Sequence, residues 1–272
     1  MRFFSKALAC TASIFLAAGL IVSCSKPTGP GEGEDGPDAS GGRVALASAT
    51  PADIGKLVSS DGYIYASSDA ARAAGAKVCG VVAYVGNDTG EASFRHGLVL
   101  AMKNNGDEAW KSTRGIADNP NQYDLIASAL EAKESGCTLT HLGDRNSALS
   151  AHQWGAFFSA YWNNVEENEY ITKTAPENTS GWFLPSIFQW NKIINGLNGN
   201  DAKLTTGMSA DLTRIAANKK LTAAGADELH DGAYWSSSEH SYERAWAYWA
   251  NDGKVTNQEK TWFLYVRSVL AF

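Results

Sequence analysis

Long apolar segments and clustered basic residues are both scarce in this chain of 272 residues. After one apolar run that ends at Val22, no segment has the roughly 20 consecutive apolar residues that a helix needs to cross a bilayer. Lys and Arg number 23 against 29 Asp and Glu, and no stretch concentrates the basic side chains. Because phosphate binding depends on clustered Lys and Arg, we expect no nucleic-acid partner.

Cysteine and histidine patterns that hold metals or transfer electrons are also missing. The chain has 4 cysteines, none of them in a C-x-x-C pair, and its 5 histidines are scattered. Zinc and dithiol redox sites rely on such closely spaced ligands. The sequence therefore predicts neither a metal nor another cofactor.

The N-terminus carries the features of an export signal. Arg2 and Lys6 precede an apolar run over residues 7–22, which is too short to span a membrane and fits a secretory signal. Residues 21–24, IVSC, resemble the bacterial lipobox, which is cut before a cysteine that is then acylated. The resemblance implies a signal peptide over residues 1–23 and a lipoprotein whose Cys24 carries acyl chains such as palmitate.

The stretch after this cysteine predicts a flexible tether and a location. Residues 24–43 are rich in Gly, Pro and acidic residues and have no apolar segment to bury. Ser25 stands where an aspartate would resemble an inner-membrane retention signal, and the acidic cluster that starts at Glu32 resembles the surface-export signals of Bacteroidota lipoproteins. We therefore expect an outer-membrane lipoprotein, exposed at the cell surface and joined to the membrane through its lipid.

Residues 44–272 have the length of a single globular domain. We divide it into an N-terminal half over about residues 53–135 and a motif-bearing part over about residues 180–272. An exported compartment permits a disulfide. Cys79 and Cys137 could form one, and two buried free thiols are the alternative.

Local patterns in the N-terminal half predict short elements. The segment LVSSDGYIY is typical of a hairpin that turns at Asp61-Gly62. A short helix follows, with Ser67 or Ser68 as its N-cap and Gly75 at its end. The apolar runs VCGVVAYV and GLVLAM predict two buried strands.

The remainder predicts helices followed by strands. Ser186, directly after Pro185, can cap a helix whose apolar residues recur at helical spacing. From residue 233 onward the chain reads as β structure, with a tight turn at residues 251–253 and a final strand, WFLYVRSVLAF, that suits the centre of a sheet. The fold class is therefore α+β, with helices packed on a mainly antiparallel sheet and strands concentrated in the C-terminal third.

Several motifs together resemble a known family. They are GWFLPS at residues 181–186, YWSSSE at residues 234–239, and the closing segment at residues 266–272. These resemble the signature of the major-paralogous-domain proteins, a family of Bacteroidota surface lipoproteins. The resemblance implies a C-type-lectin-like fold, which that family shares with the formylglycine-generating enzymes.

The same resemblance limits the chemistry that we expect. Formylglycine-generating enzymes use cysteines late in the chain, and no cysteine follows Cys137 here. The calcium-binding E-P-N or Q-P-D element of sugar-binding lectins is also missing. We therefore expect a non-catalytic protein without calcium.

Strand alternation predicts a ligand surface near the C-terminus. Trp246, Tyr248 and Ala250 share one face of a strand, and Ala245, Ala247 and Trp249 share the other. The family resemblance implies that the first set faces the core and the second faces outward. Exposed aromatic side chains beside amides and charges suit recognition of a glycan or a protein. The predicted ligand surface comprises His240, Tyr242, Arg244, Trp249, Asp252, Lys254, Asn257, Gln258 and Trp262.

A second set of residues is expected to support the fold. Arg267 interrupts an apolar strand, so we expect it to be buried and paired with a carboxylate, for which Glu239 is our choice. Residues 236–238, SSS, should serve as hydrogen-bonding residues and not as nucleophiles. The predicted structural residues are Trp182, Pro185, Trp235, Glu239, Trp246 and Arg267.

Three functions remain open from the sequence. The first is a membrane-anchored binding module that presents its lectin-like C-terminal face to a glycan or protein ligand at the cell surface. The second is a structural or tip subunit of a surface appendage. An enzyme acting on polysaccharide is a weaker third, because the acid pairs, such as Glu166 with Glu169, lie in polar segments that would not shift a pKa.

Overall fold

Two mainly antiparallel sheets and four α-helices form the part of the chain that the computed structural model describes, residues 42–110, 155–199, 211–240 and 243–272. This confirms the α+β fold class. Within these ranges, no helix has the length and apolar character needed to cross a membrane. Cys24, Tyr242, Cys137 and residues 24–41 of the tether lie outside them, as does the segment QYDLIASALEAK, whose sequence pattern predicts a helix.

The first sheet has six strands in the order β1-β3-β2-β4-β5-β11. The hairpin prediction is confirmed, because the second and third strands pair antiparallel and Gly62 takes a φ of +83° in the turn between them. The strands are β1 (Val44–Ala45), β2 (Leu57–Ser59), β3 (Tyr63–Tyr65), β4 (Val78–Val85), β5 (Gly97–Ala101) and β11 (Val269–Ala271).

The second sheet has five strands in the order β6-β10-β7-β8-β9, and β10 runs parallel to β7. The predicted turn between β8 and β9 is confirmed, since Gly253 has a φ of +65° and its N–H donates to Trp249 O at 2.8 Å. The strands are β6 (Asp107–Ala109), β7 (Ala233–Glu239), β8 (Arg244–Trp249), β9 (Lys254–Glu259) and β10 (Phe263–Tyr265).

Helices α1 and α3 begin at the predicted caps. In α1 (Ser68–Ala73), Ser67 Oγ accepts from Ala70 N at 3.2 Å. In α3 (Ile187–Leu197), Ser186 Oγ accepts from Gln189 N at 3.1 Å, and the Gln189 side chain accepts from Ser186 N at 2.7 Å. The other two helices are α2 (Gly155–Trp162) and α4 (Asp211–Ala223).

Helix α3 packs against both sheets. Trp190 stacks on Tyr248 of the five-stranded sheet, with ring centroids 5.3 Å apart. On the same helix, a Cβ added at Gly196 would lie 2.1 Å from Ala83 O of β4, so only glycine permits this approach to the six-stranded sheet. The largest apolar cluster therefore joins both sheets through one helix.

The closing apolar segment does not form the single central strand that we predicted. It divides into β10 and β11, which belong to different sheets. Between them, residues 266–268 cross from one sheet to the other beside residues 101–106, and Asn105 N donates to Val266 O at 2.9 Å while Val266 N donates to Gly106 O at 3.0 Å. These two crossing segments satisfy each other's backbone groups and connect the sheets.

Candidate functional site

The face of the five-stranded sheet that we expected to point outward is largely covered. Ala245 and Ala247 are fully buried, and Trp249 is half-buried. Phe157 of α2 and Trp110, the residue after β6, pack against this face. They belong to the same apolar cluster as Ala245 and Ala247. The prediction that Ala245, Ala247 and Trp249 face outward was wrong, because α2, which is distant in the chain, packs on the face that carries them.

The strand register divides the predicted ligand surface between two faces. Lys254 lies opposite Trp249 across β8 and β9, so both lie on the face that α2 covers in part. Asn257 lies opposite Trp246, and Arg244 lies opposite Glu259, so these residues lie on the other face. Grouping Asn257 with Gln258 on one surface was therefore wrong, because successive residues of a strand alternate.

Polar groups of the predicted surface bind one another. Trp249 Nε1 and Gln258 Nε2 both donate to Thr256 Oγ1, each at 2.7 Å. Lys254 Nζ pairs with Asp252 Oδ2 at 2.7 Å. Much of their hydrogen-bonding capacity is thus used within the protein.

The other face shows the same behaviour. An Nη1 donor of Arg244 bonds Asn257 Oδ1 at 2.5 Å. His240 packs edge-on against Trp246, with ring centroids 4.8 Å apart. These contacts stabilise the end of the hairpin and leave fewer free groups for a ligand.

Two adjacent aromatic residues behave differently. Trp262 and Phe263, at the start of β10, are 48% and 69% exposed. Trp262 was part of the predicted surface, but Phe263 was not. The alternation in WFLYV could have indicated Phe263, because Leu264 packs inward while Phe263 lies on the opposite face.

The tryptophans of the motifs bond to backbone carbonyls. Trp235 Nε1 donates to Glu108 O at 2.8 Å, Trp190 Nε1 donates to Trp235 O at 3.0 Å, and Trp182 Nε1 donates to Lys173 O at 2.6 Å. Each indole is buried with its single donor satisfied. The motif residues thus join distant segments of the chain.

Residues 236–238 and Pro185 also support this junction. Ser236 Oγ donates to Trp246 O at 2.6 Å, and Ser238 Oγ accepts from Ile187 N, the first residue of α3, at 2.9 Å. Ser237 N donates to Pro185 O at 2.9 Å. Ser237 and Ser238 thus connect strand β7 to the start of α3, and Ser236 connects β7 to β8.

Arg267 is fully buried but does not have the partner that we expected. Its Nε donates to Ala101 O at 2.9 Å, and its terminal nitrogens donate to Met102 O, Asp227 O and Asn104 Oδ1 at 3.0–3.3 Å. The choice of Glu239 was wrong because Arg267 lies in the segment that crosses between the sheets, beside the end of β5. Burial lowers the pKa of Arg267 to about 10.

A polar network surrounds this arginine. Tyr234 Oη donates to Asn104 Oδ1 at 3.0 Å, and Asp227 pairs with Lys103 at 2.7 Å. Partial burial acts to raise the pKa of Asp227, but hydrogen bonds from Lys103 and from Asn104 N outweigh it, so the pKa is lowered. Burial raises the pKa of Tyr234.

Cys79 is a free, fully buried thiol whose Sγ lies 3.5 Å from Val58 O. Burial raises its pKa, so the unreactive thiol form prevails. Cys79 is thus the buried free thiol of the alternative and not half of a disulfide, while Cys137 lies outside the described residues.

No family model matches the chain, and no curated protein matches it. Among solved structures, the chain is similar to the crystal structure of a fimbrial protein from Bacteroides ovatus ATCC 8483, with a TM-score of 0.50 and 17% sequence identity. The match covers 80% of this chain and 48% of that one, so the chain spans about half the length of the protein it matches. At this identity the likeness concerns the fold.

Proposed function

We propose that this protein is a non-catalytic subunit of a surface appendage. The observation that carries the proposal is the fold shared with a fimbrial protein over 80% of the chain. Many polar side chains of the predicted ligand surface bond one another, which suits a structural subunit better than a ligand-binding one.

The contact with a neighbouring subunit would lie at the start of β10. Trp262 and Phe263 are large, adjacent and exposed. Lys260, two residues before Trp262, is buried, and its Nζ lies 4.5 Å from the centroid of the Trp110 ring. Exposed aromatic side chains held on a rigid base are the residues that dominate protein interfaces.

This function is tested by shearing appendages from cells that express the full chain and measuring whether the chain is present in that fraction. We expect the wild-type chain in the sheared appendage fraction and its loss when Trp262→Ser and Phe263→Ser are combined. The matched control is Ile215→Ser, since Ile215 is 59% exposed on α4 and should tolerate the change. A wild-type chain that never enters the appendage fraction would contradict the proposal.

The anchor belongs to the same proposal. Acylation of Cys24 would hold the subunit at the outer membrane, which fits the lipobox resemblance of residues 21–24. Cells fed with labelled palmitate should label the wild-type chain and not a Cys24→Ala variant. Equal labelling of both would refute the anchor.

We also propose the finer family assignment, a major-paralogous-domain protein with a C-type-lectin-like fold. The contact between the two motifs supports it: Ser237 N of YWSSSE donates to Pro185 O of GWFLPS, and Trp190 Nε1 of α3 donates to Trp235 O, so both motifs meet at the start of α3. A crystal structure that fails to superpose on C-type-lectin-like domains would remove this assignment.

Binding of a glycan or protein ligand by the predicted surface is the second candidate. The exposure of Trp262, at 48%, favours it. A glycan array should then lose its signal with Trp262→Ala and keep it with Ile215→Ala, and signals unaffected by Trp262→Ala would count against this surface.

A further inference from the structure

A groove of about 770 Å³ lies beside β1, at the edge of the six-stranded sheet. Its volume falls within the range of about 300–1,000 Å³ that ligand pockets occupy. None of the described residues of the predicted ligand surface lines it. The lining residues that carry its chemistry are Asp61, Tyr63, His96, Glu177, Asn178 and Phe272.

The walls of the groove are fixed by the backbone. On one side, Leu46 N donates to Gly62 O at 2.8 Å, which holds the turn between β2 and β3. On the other side, Ser180 N donates to Ala271 O at 2.9 Å, and Ser180 Oγ accepts from Ala271 N at 2.8 Å. Both walls are therefore held in place before any ligand arrives.

Several polar atoms of the groove have no hydrogen-bond partner among the described residues. Glu177 and Asn178 are exposed, and their side chains make no hydrogen bond to other described residues. Asp61 uses Oδ1 to accept from Ser59 Oγ and Tyr63 N, while Oδ2 bonds no described residue. This contrasts with Trp249, Lys254 and Gln258, whose polar groups bond other side chains.

Aromatic rings complete the groove. Phe272 is 8% exposed, and His96 packs edge-on against it with ring centroids 5.6 Å apart. Tyr63 is half-buried, and Arg43 Cζ lies 4.1 Å from the centroid of its ring. Apolar rings beside free carboxylate and amide groups match a sugar, whose C–H groups pack on rings and whose hydroxyls donate to carboxylates.

The charges narrow the class of ligand. Asp61 and Glu177 contribute two carboxylates, and Arg43 lies near enough to Asp61 for the two charges to interact. No cation among the described residues pairs with Glu177, so an acidic ligand would meet repulsion there. We propose that this groove binds a neutral or amine-bearing glycan.

The test uses the purified full chain and an array of neutral hexose oligosaccharides, glucosamine oligomers and sialylated or uronate-containing oligosaccharides. Two variants remove ligand contacts with little effect on the fold. Glu177→Gln keeps the size of the side chain, and Asn178→Gly suits the φ of +59° at that position. Glu169→Gln, at another exposed glutamate, is the matched control.

We expect binding to neutral or amine-bearing sugars, an affinity about tenfold lower or more in each groove variant, and no change in the control. Unfolding midpoints of all variants should match the wild type. Lack of any binding, a preference for acidic sugars, or affinity retained in both groove variants would overturn the proposal. Failure here would leave the appendage experiment unaffected, because that experiment reads assembly and not sugar binding.

Discussion

At the scale of single residues, buried polar groups are placed where the chain passes between the two sheets. Arg267 and Asn104 extend from adjacent crossing segments and bond each other, and Tyr234 donates to the same Asn104 oxygen. Removing any one of them would leave a buried donor or acceptor without its partner. The polar network thus holds together the two segments that cross between the sheets, which apolar packing alone would not fix in one arrangement.

Asp227 makes the stability of this network depend on pH. Its pKa is lowered in the folded protein, so its contribution is present above the unfolded pKa of about 3.9 and is lost as the pH falls through the folded pKa. We expect Asp227→Asn to lower the unfolding midpoint at pH 7 and the difference from wild type to shrink below about pH 4.

Thermal unfolding followed by circular dichroism from pH 2 to pH 8 measures this difference. Asp231→Asn, at an exposed aspartate four residues away, is the control and should follow the wild type. A difference between Asp227→Asn and wild type that stays constant over this range would contradict the assignment.

At the scale of elements, helix α3 is positioned by its N-terminus. Ser186 caps the helix, while Ser238 from β7 accepts the N–H of Ile187 at 2.9 Å. Both cap and strand contact are buried, so water cannot replace either bond. The helix start is therefore coupled to the second sheet.

This coupling predicts unequal costs for two N-cap substitutions. Ser67→Ala removes an exposed cap and should lower the free energy of unfolding by about 0.5–1 kcal/mol. Ser186→Ala removes a buried cap and should cost about 2 kcal/mol, because the buried N–H of Gln189 loses its acceptor. Urea denaturation of both variants compares the two, and equal losses would show that the Ser186 cap is not coupled to packing.

At the scale of the whole molecule, the two sheets share one core. The described residues fall within one compact unit, and α3 bonds or contacts both sheets. The crossing segments at residues 101–106 and 266–268 also belong to both. Neither sheet can therefore lose its packing without exposing part of the other.

We accordingly expect a single cooperative unfolding transition. Far-UV circular dichroism and tryptophan fluorescence should give the same midpoint, and Trp190→Phe should lower both midpoints equally. Two separated transitions would indicate that the sheets unfold independently.

The positions of the elements followed from local sequence. Gly62 and Gly253 sit in turns that need a positive φ, and Ser67 and Ser186 supply cap oxygens, so neighbouring residues indicate where the hairpins turn and where α1 and α3 begin. The α+β class followed from the same patterns. Their physical cause is backbone geometry, which acts over a few residues.

Tertiary structure decided the rest. Which face of β8 is covered depends on Phe157 of α2, and the partners of Arg267 depend on residues more than 160 positions earlier in the chain, Ala101 and Met102 among them. The groove beside β1 is assembled from Asp61, Glu177 and Phe272, which no local pattern connects. Periodicity determines that a strand has two faces, but only packing between distant segments determines what each face meets.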